Sequence, residues 1–249
     1  MRVLWALADD DTSAAELARL VEVDPALSAR IMQLANSPYY GVSGRVSSAA
    51  QAIMLLGFTM VRALAVSAAC GLFVDRRRGV PDGFWSHAAA AAVGAAIVAE
   101  RTEAPVSDAF SAGLLHDLGT ALIYRLLGDD YLELVAGADA AGRPLAEAER
   151  AAYGISHAWA ASMALEAWKF PTGFVEAVGG HHDGLADPLS RAVAAGDALA
   201  VYLGHVPGHV GIPRPEEALA AAGVDPSRTD ALLMRMRAEL DDLACLLAW

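Results

Sequence analysis

The run Phe110-Ser-Ala-Gly-Leu-Leu-His-Asp-Leu-Gly119 sets two strongly polar side chains, His116 and Asp117, among residues that belong in a core. Burying such a pair without partners costs several kcal/mol. Whatever this chain folds into must therefore supply the doublet with either a metal ion or a hydrogen-bond network. Strand-like alternation and hairpin signals are absent, and helix signals appear throughout. The expected fold class is all-α: a multi-helix bundle in which an N-terminal helical subdomain packs on a second helical bundle.

Local chemistry marks the helices. Ser13-Ala-Ala-Glu16 has capping-box spacing ahead of Leu17, Leu20 and Val21. Asp24-Pro25 reads as an N-cap and first-turn proline, opening a helix with Leu27, Ile31 and Leu34 on one face. Gly57 breaks an apolar helix, with another expected from Thr59 to Phe73. Further helices are expected near 82–101, 107–127, 129–138, 144–153, 156–168, 172–181, 187–204, 215–222 and 226–247. The 75–82 loop is the natural internal boundary. It separates an N-terminal subdomain (1–75) from a second bundle (82–204), which a C-terminal helical extension (205–249) follows. In that extension Leu233, Met236, Leu240, Leu243 and Leu247 form a stripe that could pack on the body or pair with a second copy as a homodimer. Packing on the body is the favoured reading. Arg76-Arg77-Arg78 reads as a solvated loop, with a phosphate or partner contact as the alternative.

Bulk properties exclude several classes. A length of 249 residues suits one large domain or two small ones. The net charge of -12 argues against non-specific nucleic-acid binding, which needs a basic surface. Mean hydropathy is high at +0.36, but much of it is alanine. The apolar runs Ala63 to Val74 and Ala88 to Ala99 fall short of the ~20 residues a bilayer needs. Asp9-Asp10 arrives too early for a signal peptide. Cys70 and Cys245 form no CxxC, so a reducing cytoplasm is the expected compartment, with no membrane partner.

The candidate chemistry lies in polar side chains stranded in apolar helices. These are His87, His116, Asp117, His157, His181, His182 and Asp197. His205 and His209 flank Pro207 and read as loop residues. Imidazole and carboxylate ligands suit a divalent first-row metal such as Fe, Mn, Zn, Co or Ni. A His-Asp pair, a histidine from an earlier helix and an aspartate from a later one can converge in a bundle core. There they could bind an ion that activates water toward phosphorus. Alternatively, Asp117 and Asp197 accept hydrogen bonds from the histidines with no ion present.

The order His87, His116-Asp117, Asp197 resembles the HD superfamily of metal-dependent phosphohydrolases. The block Asp24-Pro-Ala-Leu-Ser-Ala-Arg-Ile-Met-Gln-Leu-Ala-Asn-Ser-Pro-Tyr-Tyr-Gly41 is similar to the HDOD family, as are Val46 to Gly57, Gly154-Ile-Ser-His157, Trp168-Lys-Phe-Pro171 and His181-His182. The resemblance spans about residues 10–205 and makes the second bundle HD-like. It implies a bacterial signal-transduction output or scaffold module, non-catalytic, acting on signalling proteins or a small ligand such as a nucleotide. It also implies that His157 and His181 or His182 match the additional histidines of HD-GYP phosphodiesterases. Three departures count against turnover. Thr120 stands where active relatives carry a phosphate-binding lysine, Gly83 where a trinuclear site supplies glutamate, and no Gly-Tyr-Pro triplet follows His182. The alternative is a divalent-metal phosphohydrolase acting on a nucleotide or cyclic dinucleotide. Asn36, Tyr39 and Tyr40 are candidate partner contacts, or else residues that end a helix and pack over the bundle.

Overall fold

The computed structural model describes residues 13–22, 25–41, 45–69, 80–184, 187–205 and 214–247. Among them no strand occurs and helices account for most of the chain. They are α1 (Ala14–Glu22), α2 (Pro25–Ala35), α3 (Ala49–Ala69), α4 (Phe84–Ala99), α5 (Val106–Leu115), α6 (Leu118–Leu127), α7 (Asp129–Ala140), α8 (Leu145–Tyr153), α9 (His157–Ala167), α10 (Thr172–Gly179), α11 (Pro188–Tyr202), α12 (Pro215–Ala221) and α13 (Thr229–Leu247). A 3₁₀ turn at Pro38–Tyr40 follows α2, and another at Pro226–Arg228 precedes α13.

The caps behave as their residues dictate. Glu16 N donates to Ser13 Oγ at 3.2 Å. Trp159 N donates to Ser156 Oγ at 3.3 Å, opening α9. Asp187 caps α11 ahead of Pro188. Gly57 takes φ 79° and kinks α3, a backbone that a side chain would resist. Asp24, Cys70, the arginine trio, Pro207 and His209 lie outside the described residues, as does the expected helix beyond Ala69. So does the side chain of Leu247.

One helix differs from expectation. The 107–127 segment is not continuous: α5 ends at Leu115 and α6 begins at Leu118, with Asp117 at φ -95°, ψ 14°. Successive residues on a helix point about 100° apart. Breaking the helix at the doublet lets both polar side chains serve one pocket.

Helix α4 is the axis of the molecule. Every residue from His87 to Ala99 is buried. Helices α5, α11 and α13 pack around it, and α1 and α2 pack on α3, which in turn meets α5. The principal hydrophobic core is shared by α1 to α5 and α11 to α13, so it runs through both bundles and the C-terminal extension. Helix α3 contains the one stretch among the described residues long and apolar enough to cross a membrane, Ala49–Val66. More than half of that stretch is buried inside the protein.

The alanines and glycines have a packing purpose here. A Cβ on Gly196 of α11 would lie 2.4 Å from Ala95 N and 2.5 Å from Ala91 O of α4. One on Gly113 of α5 would lie 2.8 Å from Ala91 O. Only small residues let three helix backbones approach this closely, and the approach brings their polar residues within bonding range.

Candidate metal centre

Seven side chains singled out in the sequence gather in one place. His87 comes from α4, and His116 and Asp117 from the α5–α6 break. His157 opens α9, His181 and His182 follow α10, and Asp197 lies in α11. All are buried except His182, which is exposed and marks the solvent side of the pocket.

The cluster has two halves. In the first, His87 Nε2 lies 3.1 Å from His116 Nε2, 3.5 Å from Asp117 Oδ2 and 3.2 Å from Asp197 Oδ1. His116 Nε2 lies 3.5 Å from Asp117 Oδ2 and 3.7 Å from Asp197 Oδ1. In the second, His157 Nε2 lies 3.0 Å from His182 Nε2 and 3.4 Å from Asp117 Oδ1. His181 Nε2 is 3.8 Å from that same oxygen. Asp117 thus turns one oxygen toward each half.

Outer hydrogen bonds aim the rings. The Nδ1 atoms of His87, His116 and His181 donate to the carbonyls of His205, Gly113 and Val178 at 2.8, 2.7 and 2.6 Å. Carbonyls only accept, so each Nδ1 carries a proton and each ring turns its Nε2 to the pocket. His157 uses a carboxylate instead: its Nδ1 donates to Glu149 Oε2 at 2.7 Å.

Charge is unevenly held. Burial opposes a proton on His87, but the Asp197 hydrogen bond and the charges of Asp197 and Asp117 raise it to about 9. Burial lowers His116, with the two aspartates opposing in part. His181 falls well below the ordinary range, through burial and three neighbouring imidazoles. Burial also opposes charge on His157, yet Glu149 and Asp117 raise it. Burial would raise Glu149, but His157 and Tyr131 hold it lower than usual.

These donors fit divalent cations. Ligand atoms sharing an ion with bonds of about 2.1 Å stand roughly 3.0–3.4 Å apart, near the separations in each half. Within each half, two Nε2 atoms face each other at 3.0–3.1 Å, which requires a proton or a cation between them. Among the described residues, His181 Nε2 is buried with no hydrogen-bond partner. Such a group costs stability unless something occupies its lone pair.

Two participants were not legible. Glu149 is fully buried, and its Oε2 accepts from both His157 N and His157 Nδ1 at 2.7 Å. Tyr131 donates to Glu149 Oε1 at 2.5 Å. His205 is a loop residue as expected, but its carbonyl orients His87 and its Nδ1 lies 2.6 Å from Ser86 Oγ.

The Asn36 block lies apart from the cluster. Asn36 joins the loop at Val46 through two hydrogen bonds, at 2.7 and 3.0 Å. Tyr39 and Tyr40 are part-exposed, stacked edge-on to each other and packed against the core, with Tyr39 also on Phe110.

Solved structures share the fold. A Shewanella amazonensis protein provisionally named a phosphohydrolase matches with TM-score 0.73 at 23% identity, covering 99% of this chain and 92% of that one. An HDOD domain protein of unknown function from Geobacter sulfurreducens matches with TM-score 0.72 at 24% identity, covering 97% and 90%. The MmoQ response regulator of Methylococcus capsulatus matches with TM-score 0.54 at 27% identity, covering 93% of each chain. No curated protein matches the sequence. The HDOD domain profile matches residues 1–184, which takes in α1 to α10 and six of the seven clustered side chains; the chain belongs to the HDOD family.

Proposed function

We propose that this chain is a signalling module whose HD-like pocket holds two divalent metal ions, and that it acts by binding a partner protein or a small ligand. The observation that carries the metal pair is the division of Asp117, with Oδ2 toward His87 and His116 and Oδ1 toward His157 and His181. His87, His116 and Asp197 would complete the first ion's shell, and His157, His181 and His182 the second's. The signalling role rests on the family and on likeness to the MmoQ response regulator.

Divalent ions in such a pair supply Lewis acidity and a water of lowered pKa, suited to phosphoester hydrolysis. That favours a second reading, a metal-dependent phosphohydrolase acting on a nucleotide or cyclic dinucleotide. The Shewanella protein's provisional name agrees with it. Two residues weigh toward binding without turnover. Thr120 is buried at 3% exposure and brings no cation to a phosphate. Gly83 caps α4 in the left-handed region and brings no carboxylate for a third ion. A partner contact at the Asn36 block would use the exposed edges of Tyr39 and Tyr40, since Asn36 already holds Val46.

Metal analysis of protein purified without chelator tests the pocket. Two equivalents of Fe, Mn, Zn, Ni or Co are expected, and Asp117→Ala should lose both. No metal after reconstitution would remove the pocket from the proposal. Calorimetry with cyclic dinucleotides and guanosine nucleotides tests ligand binding. Metal-dependent turnover of that panel, lost in Asp117→Ala, would replace the binding reading with the hydrolase one.

A further inference from the structure

Three of the inward-facing histidines are oriented by backbone carbonyls, and one is not. His87, His116 and His181 use His205, Gly113 and Val178, while His157 uses the Glu149 carboxylate. A carbonyl is enough to fix a tautomer. A carboxylate adds a full negative charge and makes the imidazole a stronger ligand. Burying that charge is costly, and the fold offsets the cost with three hydrogen bonds: His157 N and Nδ1 on Oε2, and Tyr131 on Oε1. Glu149 and Tyr131 are both at 0% exposure.

The two halves of the pocket differ in the charge they offer. The first has Asp197 to itself and shares Asp117. The second has three histidines and only the shared Asp117 oxygen. Glu149 is the carboxylate that stands behind this histidine-rich half. We propose that Glu149, held by Tyr131, is a positioning residue that confers divalent-ion affinity on the His157–His181–His182 half without touching the ion. The inference rests on the two-ion reading above and goes beyond it by assigning the second ion's affinity to a residue outside its shell.

Cobalt titration of the metal-free full chain tests this, with bound ions counted by elemental analysis and each half followed by its visible absorption. In Glu149→Gln the amide oxygen still accepts from His157 Nδ1, but the charge is gone. The second ion should weaken about 10–100-fold while the first keeps its affinity. Asp197→Asn should give the mirror result. Nitrogen NMR of the metal-free chain should show the His157 resonances moved in Glu149→Gln and those of His87 unmoved. Unchanged affinity for both ions, or equal weakening of both, overturns the proposal and leaves the two-ion reading standing. A wild-type chain that takes up no cobalt overturns both. Should Glu149→Gln fail to fold, Tyr131→Phe decides in the same way. It keeps the charge but loosens it, and selective weakening of the second ion supports the assignment while equal affinities refute it.

Discussion

At Gly119 the absence of one methyl group decides whether Asp117 can face His157. A Cβ there would lie 1.9 Å from the His157 carbonyl oxygen, and that neighbour is backbone, which cannot swing aside. Gly119→Ala must push the start of α6 away from the start of α9. Urea unfolding should register a loss of roughly 1–3 kcal/mol, with the second ion's affinity falling alongside. Wild-type stability together with wild-type metal binding would contradict this account. The seven polar side chains of the pocket were legible because each interrupts an apolar stretch. Glu149 was not, because Ala146-Glu-Ala-Glu-Arg150 reads as a solvated helix face, and Glu147 two residues earlier is indeed exposed. Nothing in that pattern distinguishes the glutamate that turns inward from the one that turns out. Gly119 was equally silent, since its need arises from a helix that lies far along the chain.

The elements were largely readable, and the misreading at 107–127 is instructive. Apolar periodicity continues through the doublet, so a pattern argument joins α5 to α6. The break comes from tertiary demand for two adjacent side chains on one side. The alanine run of α4 was likewise readable as helix, but its purpose appears only in its contacts with Gly196 and Gly113. At the C-terminal end, α13 buries Leu233, Met236, Leu240 and Leu243, so the leucine stripe is engaged within the chain. Arg235 of this helix also pairs with Glu100 and Glu239. The apolar stripe should dominate its docking. Met236→Ala, at a site with 0% exposure, should cost about 2–5 kcal/mol. Arg235→Ala, in a part-exposed pair, should cost less than about 1 kcal/mol. The pair also has a pH signature. The Arg235 hydrogen bond, opposed by some burial, holds Glu100 below its ordinary 4.5. Its contribution is therefore full above that value and is lost as pH falls through the lower folded value. The stability gap between wild type and Arg235→Ala, followed by urea unfolding, should close on acidification. A gap that widens in acid, or an Arg235→Ala cost exceeding that of Met236→Ala, would reverse the ranking.

Across the whole molecule the pocket acts as a cross-link between helices distant in sequence. Its ligands come from α4, the α5–α6 break, α9, the end of α10 and α11, spanning residues 87 to 197. Metal binding should therefore raise global stability, because the unfolded chain cannot assemble the site. The principal core does not depend on the ions: it is shared by α1 to α5 and α11 to α13, built from aliphatic side chains and closely approached backbones. The metal-free chain should thus remain folded, unlike a small zinc domain, and should lose temperature resistance rather than structure. One site at a free-ion concentration a hundredfold above its dissociation constant adds about 2.7 kcal/mol. For a chain of this length each kcal/mol moves the midpoint by about 2–4 °C, so chelation should lower it by roughly 5–10 °C for each ion removed. Differential scanning calorimetry of cobalt-loaded and chelated protein measures the shift, and circular dichroism at low temperature measures the retained helix. Collapse of the helical signal on chelation would mean that the ions hold the fold together. An unmoved midpoint despite bound metal would mean that the unfolded chain holds the ions as tightly, and so that the geometry at Asp117 contributes nothing to their binding.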